Sequence, residues 1–407
     1  MTISQTSLKK LNSKKTYQKL LIFTFIFFGI YSALGQTSAC DCLTVLDDAS
    51  SIIQHSKSYK VQIKKEDREQ EFQQWKDKIV FQIKKDSLRS FFCAGYLQKY
   101  ISFISDRHNQ INKVPETVAE HIPTYQKPID TTKVKDKISG IYYAGRDQIF
   151  VKKETDSLWY GITLKSASEG WEKGKIRLKI QKTKEGHLEL FEFYPNGVLS
   201  YQNNITINDG RIRRTFWNKA NRYFFQINHE QNFNYKSVNK NFDYIGIKTL
   251  SRTRNLMKEA EAFYEKNLKN LRKENLIVDL RNNGGGATKQ AAPLLKWLKK
   301  NKHIKQVFVL INFQTASAAE LTALQLKKDR RTIIAGENSR GMLAYGYGNQ
   351  SFSAKTKCPE FSVNFSTKHK NGKLNQYEKK GITPELYLQN TSNWINQILE
   401  FNEKNKL

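Results

Sequence analysis

A chain of 407 residues with 39% hydrophobic content can bury a sizeable core, which excludes a disordered polypeptide and favours two or three folding units. The formal charge of +30 would suit a polyanionic partner. The lysines, however, are scattered in short pairs without zinc-finger spacing or an RNA-binding signature, so no specific nucleic acid is expected, only salt-sensitive attraction to polyanions.

At the start of the chain, Lys9, Lys10, Lys14, Lys15 and Lys19 precede the apolar run "LLIFTFIFFGIYSALG". That run is too short and too abruptly polar afterwards for a membrane span. It predicts a signal peptide over residues 1–35, cut after the small residues Ala33 and Gly35. The protein is then expected to be exported, periplasmic or extracellular, with envelope association in reach. The alternative is a membrane-anchored lipoprotein attached through Cys40 in "TSAC", which the small Thr37 three residues earlier disfavours. In an oxidising compartment Cys40, Cys42, Cys93 and Cys358 could form up to two disulfides, with the pairing open. "CDC" lacks further ligands at zinc spacing, and no metal or other cofactor is expected.

Residues 36–125 read as a helical segment, with Leu97, Ile101 and Ile104 at helical spacing. It ends in "FISDRHNQ", a helix terminus or exposed loop that places His108 just past a buried face. A polar, proline-bearing linker follows. Over 126–235, short alternating runs such as "QIFVKK", "WYGITLK" and "LELFEFY", broken by Gly, Asn and "PNG" turns, predict a small antiparallel β module. Trp159, Tyr160, Trp171 and Phe193 could line a groove, yet such aromatics ordinarily form core.

From 236 to 407, strands and helices alternate. "FDYIGIKTL" is a strand and Ser251 to Leu271 an amphipathic helix; "NLIVDL" is a buried strand, 287–301 a helix and "QVFVLIN" a strand; Ala318 to Lys328 is a helix before the strand "RTIIAGE". This alternation predicts an α/β core with a mostly parallel sheet, whose ligand sites lie at the carboxyl ends of the strands. "DLRNNGGG" and "QTASAAE" both begin at such ends. They are expected to converge on one crevice.

In the first of these, Gly284, Gly285 and Gly286 could turn backbone amides toward an anion without side-chain obstruction. They lack the Lys-Ser/Thr of a P-loop and the spaced glycines of a dinucleotide fold, so alone they read as a tight turn. In the second, Ser317 and Glu320 form an S-x-x-E capping box. The same serine, at a helix N-terminus, could also be a nucleophile whose oxyanion the backbone amides and helix dipole stabilise.

Taken together, these segments resemble the C-terminal processing (tail-specific) peptidases and the tricorn-core serine peptidases. Four ordered motifs carry the resemblance over roughly 240–390: Asp279 to Gly286, Thr315 to Glu320, Gly336-Glu337, and Gly381-Ile382-Thr383-Pro384-Glu385. The resemblance implies crotonase-like ααβ units and a serine peptidase with Ser317 as nucleophile. It also implies an oxyanion hole from the backbone N–H groups of Gly284, Gly285 and Ala318. The tail-specific branch uses a downstream lysine as base, but that position holds Met342, which cannot act as one. The tricorn-like branch uses a histidine and a late glutamate, positions that His108 and Glu378 resemble; its supporting serine is replaced by Arg107. The implied mechanism has His108 as general base and Glu378 orienting it, with Asp106 as an alternative orienting acid and His55, His121 and His229 as competing histidines.

Glu320 remains a structural residue in this reading. The 138–232 unit shows no carboxylate-binding loop of the kind found in a PDZ domain, so selectivity for chain termini is not implied. The expected substrates are peptides or unfolded proteins, cut internally. The alternative is a catalytically inactive peptide-binding protein on the same scaffold.

Overall fold

The computed structural model describes residues 40–113, 121–132, 134, 136–348 and 352–405; the expected signal peptide lies outside them. Cys42–Leu407 pack as one unit. It opens with helices α1 (Cys42–Ile53), α2 (Glu69–Lys85) and α3 (Arg89–Ile101). Phe72, Ile79 and Ile83 fall on one face of α2 and are buried, while Glu69 and Glu71 in its first turn and Lys84 and Lys85 in its last complement the helix dipole. A disulfide joins Cys42 of α1 to Cys93 of α3 across 51 residues of sequence, a loop whose closure stabilises the fold by an entropy worth on the order of 4 kcal/mol. No described cysteine is free. After α3, residues 102–109 form a loop, and Gln110–Lys113 form a strand, β1, where the sequence suggested helix end and linker.

The antiparallel unit is a meander of consecutive neighbours: β2 (Gly140–Ala144), β3 (Asp147–Thr155), β4 (Leu158–Lys165), β5 (Ile176–Lys182), β6 (Leu188–Phe193) and β7 (Leu199–Ile205). Gly145 and Gly197 turn the chain with φ of 65° and 76°, values that cost glycine nothing. Trp159, Trp171 and Phe193 are buried and Tyr160 is half-buried, as a core rather than a groove requires. A short hairpin follows, β8 (Ile207–Asn208) and β9 (Arg211–Ile212). From it the buried Arg211 guanidinium reaches the carboxylate of Glu337 at 2.8 and 3.2 Å and lies 3.4 Å above the Phe225 ring.

The remaining elements are β10 (Phe233–Ser237), β11 (Phe242–Ile247), α4 (Arg254–Asn267), β12 (Asn275–Asp279), α5 (Ala292–Lys300), β13 (Gln306–Ile311), α6 (Ala318–Lys327) and β14 (Thr332–Gly336). Then come β15 (Tyr345–Gly346), β16 (Ser353–Lys355), β17 (Phe361–Asn364), β18 (Lys368–His369), β19 (Leu386–Tyr387) and α7 (Trp394–Lys404). The sheet runs β10-β11-β12-β13-β14-β19, antiparallel only between β10 and β11. The expected mostly parallel α/β core is therefore present. Period-two alternation sorts its two faces. Leu276 and Val278 pack with Ala260 of α4, Leu294 of α5 and Ala323 of α6, whereas Ile277 packs with Trp394 and Ile398 of α7.

Two helices are shorter than expected. The Thr253 hydroxyl accepts the Leu256 N–H and so starts α4 late. Ahead of α5, residues Thr288–Ala291 form a 3₁₀ turn, and Pro293 stands in its first turn, where a missing N–H costs nothing. Strand β1 pairs antiparallel with β17, tying the N-terminal loop to the late part of the core.

Candidate active site

The carboxyl ends of β12 and β13 face one another, and their turns are sewn together. Ala316 N–H donates to the Asn283 carbonyl at 2.9 Å, and the Thr315 hydroxyl donates to the Leu280 carbonyl at 2.8 Å. The fully buried Asn283 amide donates to the Ile247 carbonyl at 2.8 Å, and its Oδ1 accepts the Gly285 N–H at 2.9 Å. Asp279 anchors the base of the turn. Burial pushes its carboxyl up, but the Arg281 guanidinium, with contacts of 2.6 to 3.1 Å, holds it below the usual range. Gly285 has φ 96°, and a Cβ there would stand 2.7 Å from the Ala316 carbonyl oxygen and 2.8 Å from the Ala318 nitrogen. A side chain would close that approach, which is the physical reason for a glycine. In this state the Gly285 N–H is committed to Asn283, so of the three expected oxyanion donors Gly284 and Ala318 are those without a backbone or side-chain acceptor among the described residues.

Ser317 stands at the N-terminus of α6 with φ 52° and ψ −113°. An L-residue seldom adopts this conformation, and it persists only where surrounding structure enforces it. The enforcing group is Glu320, 0% exposed. One of its oxygens accepts the Ser317 N–H at 2.7 Å and the Met342 N–H at 2.9 Å; the other accepts the Ser339 hydroxyl at 2.5 Å and the Gly341 N–H at 2.7 Å. Glu320 thus does more than cap a helix: it binds the serine turn to the loop 339–342. Ser317 and Ala318 border a cleft of about 440 Å³ shared with Met257, Leu321, Arg252, Lys289 and Lys370. Among the described residues no acidic side chain lines it. Burial lowers the pKa of Lys370, opposed by the fields of Glu378, Glu320 and Asp106.

The histidine end is built from loops. The segment expected as an exposed loop is buried: Asp106 is 3% and His108 4% exposed. Asp106 Oδ1 accepts the His108 N–H at 2.8 Å and lies 3.4 Å from His108 Nδ1. Tyr347 packs edge-on to the imidazole at 5.3 Å and donates its hydroxyl to the His108 carbonyl at 2.9 Å. Glu378, in a lysine-rich stretch that suggested a solvated carboxylate, is 4% exposed. Its oxygens accept the N–H groups of Arg107 at 3.0 Å and of Leu343 and Ala344, each at 2.9 Å. Burial raises its pKa, and nearby Asp106 adds to the rise, while these bonds and His108 act against it.

Asp106, His108 and Glu378 each present a ligand atom within 4.8 Å of the others, a spacing open to a cation. Three backbone donors already engage the Glu378 carboxylate, which reduces the lone pairs it has left to offer a cation.

The structure therefore brings His108 to Glu378 and Asp106, and Ser317 to the glycine turn. The two halves are joined through Glu320, loop 339–344 and Glu378. Among the described residues no hydrogen bond links His108 to Ser317, and His108 does not line the Ser317 cleft. Of the competing histidines, His55 bonds only carbonyls of its own helix, His121 is half-buried and pushed down to about 4 by burial, and His229 packs against Gly246. Sequence reasoning ranked Asp106 behind Glu378 and passed over Lys370, one of 68 Lys and Arg residues with no local pattern to mark it.

Residues 241–307 match the model of peptidase family S41. A tail-specific protease of Haemophilus influenzae is 35% identical over 97 residues, covering 18% of this chain and 14% of that protein; the chain thus spans about a seventh of its relative's length. Among solved structures, mature CPAF complexed with lactacystin overlaps with a TM-score of 0.41 at 12% identity, over 89% of this chain and 97% of that one. The tricorn protease overlaps at 0.36 and 12%, over 82% and 34%. Overlaps so loose bear on neither the site nor the activity. The matched residues run from β11 through β12 and its glycine turn to the start of β13, so the resemblance to peptidase family S41 lies in the parallel sheet and stops short of Ser317 itself.

Proposed function

We propose that this chain is an exported serine endopeptidase that cuts peptides or unfolded proteins through an acyl-enzyme on Ser317. The observation that carries the reading is the strained Ser317 at a helix N-terminus, cross-bonded to a glycine turn at the adjacent strand end. The family match over 241–307 supports it. In this mechanism Ser317 Oγ attacks the scissile carbonyl carbon while a base takes its proton. The oxyanion is met by the N–H groups of Ala318 and Gly284 and by the positive end of α6. The base returns the proton to the leaving amine, and water then releases the acyl group by the same route. Export agrees with the lysine-then-apolar leader and with the Cys42–Cys93 disulfide.

His108 is the proposed base, with Glu378 and Asp106 stabilising its charged form. Catalytic hydrogen bonds often tighten only once substrate is bound, so the missing bond to Ser317 in the free protein is compatible with the role. A second reading has a specific observation behind it: Lys370 lines the Ser317 cleft and burial lowers its pKa, so its neutral amine could serve as the base instead.

The test is labelling by a fluorophosphonate together with hydrolysis of an unfolded-protein substrate. Wild type should label and cleave, and Ser317→Ala should do neither; equal cleavage by both proteins rules out the nucleophile. Peptide binding without labelling of wild type supports the inactive scaffold. His108→Ala should lower kcat by on the order of 10³ or more and Lys370→Met far less. The opposite ranking assigns the base to Lys370.

A further inference from the structure

Behind the catalytic segments lies a second cavity, of about 490 Å³, between the antiparallel unit and the parallel core. Its walls include Arg107, Arg214, Arg340 and Lys379. Each comes from a different loop, and none is within ion-pair distance of a carboxylate among the described residues. The charges are held by backbone instead. Arg214 donates to the carbonyls of Lys379 at 3.1 Å and Arg340 at 2.5 Å. Lys379 donates to the Ser102 carbonyl. Arg107 makes one long contact to the Lys379 carbonyl at 3.5 Å, and its Nε, although buried, has no partner.

Two acids share the walls, Asp106 and Glu192. Neither lies within ion-pair distance of the four cations, although the field of Asp106 partly supports the charge on Lys379. Asp106 is turned to the His108 backbone, and burial pushes Glu192 up to about 7 while its Oε1 accepts the Trp217 indole N–H. Four like charges gathered around one space repel one another, and burial adds a desolvation cost for each. Burial first and repulsion second lower the pKa values of Arg107, Arg214 and Lys379, the last to about 8, against the opposing fields of Glu378, Glu320, Glu337 and Asp106. A bound anion would relieve both costs at once, and a guanidinium fork with an unused N–H is the group best shaped to receive one.

We propose that this cavity is a binding site for a small organic anion carrying at least two negative charges, a dicarboxylate or a phosphate ester, held by Arg107, Arg340, Arg214 and Lys379. The volume exceeds that of a bare ion, and Phe216 and Phe313 on its wall offer apolar contact to a carbon skeleton. Three of the anchors adjoin the proposed peptidase residues: Arg107 precedes His108 and Lys379 follows Glu378 in sequence, and the Arg340 N–H donates to the Thr315 carbonyl, two residues before Ser317. The site is nonetheless distinct from the Ser317 cleft, with which it shares no lining residue.

The experiment is calorimetric titration of the full chain, in a buffer free of polyvalent anions, with inorganic phosphate in one arm and succinate in the other. Ser317→Ala protein is run in parallel, so that the outcome is independent of any catalytic activity. Wild type and Ser317→Ala should both bind at least one probe saturably, and the preferred arm identifies the ligand class. Arg340→Gln and Arg107→Gln should each weaken that binding at least tenfold, whereas Lys305→Gln, at an exposed pair with Glu274 far from the cavity in sequence, should leave it unchanged. Arg340 is the cleaner variant, because its side chain makes no hydrogen bond among the described residues. Absence of saturable binding in wild type overturns the proposal, as does equal binding by wild type and both cavity variants.

Discussion

The two ends of the candidate active site are built on different principles. The serine end rests on regular structure: a turn after one parallel strand, a turn after the next, and the first residue of a helix, locked by backbone hydrogen bonds between neighbours in the sheet. The histidine end rests on three loops, the one carrying His108 lying far in sequence from those carrying Leu343 and Glu378, and its geometry depends on which backbone amides a few buried carboxylates collect. At the strand ends, buried side chains such as Glu320 and Asn283 add to a frame that the sheet already sets. Loops need charged pins, and each pin carries a desolvation cost that makes it sensitive to substitution and to pH.

Removing the pin shared by both ends should have the largest effect. Glu320→Ala leaves four donors without an acceptor in a fully buried site, and is expected to destabilise the protein by about 3–5 kcal/mol, read as the urea midpoint at constant m. If instead stability holds and only activity falls, the serine end needs Glu320 for alignment alone, and the contrast between the two ends weakens.

Gly285→Ala probes the serine end by itself. The added methyl would sit 2.8 Å from the Ala318 nitrogen on strained backbone, and kcat should drop by on the order of 10²–10³ with KM changed far less. Unchanged kcat would remove the glycine turn from the oxyanion site.

Glu378 gives the smallest and most diagnostic effect. Burial raises its folded pKa above the unfolded value, so its contribution to stability is present below the ordinary carboxylate pKa. That contribution is lost as pH rises through the raised folded value. Wild-type stability should accordingly slope downward across that interval, and Glu378→Gln should remove the slope while lowering stability by ~1–2 kcal/mol through an amide N–H set against a backbone donor. An identical pH dependence in both proteins would assign the slope to another group.

The same contrast explains what could be read from the chain alone. Strand–helix alternation, the "NLIVDL" and "QVFVLIN" runs and the convergence of their turns all follow from local period and from the rule that sites lie at strand ends, and they are present as expected. The meander was equally legible from alternation and turn residues. The burial of His108, Asp106 and Glu378 was not, because a loop's local composition says nothing of what packs over it: "NQYEKKG" looks solvated until Arg107, Leu343 and Ala344 bring their amides to its carboxylate. The strained φ of Ser317 was hidden for a related reason, since S-x-x-E predicts an ordinary cap and only the tertiary role of Glu320 overrides it. The Arg107 cluster escaped notice because four scattered cations in a chain of this charge carry no pattern until the fold collects them.

The buried pair between Arg211 and Glu337 has a consequence for how this protein can be dissected. Glu337 belongs to the strand-end "GE" of the parallel sheet, yet its counterion comes from the hairpin that follows the meander, stacked on Phe225. A fragment beginning after the hairpin would keep Glu337 without its Arg211 counterion and leave the face of Phe225 bare. The two sheets are therefore expected to unfold together.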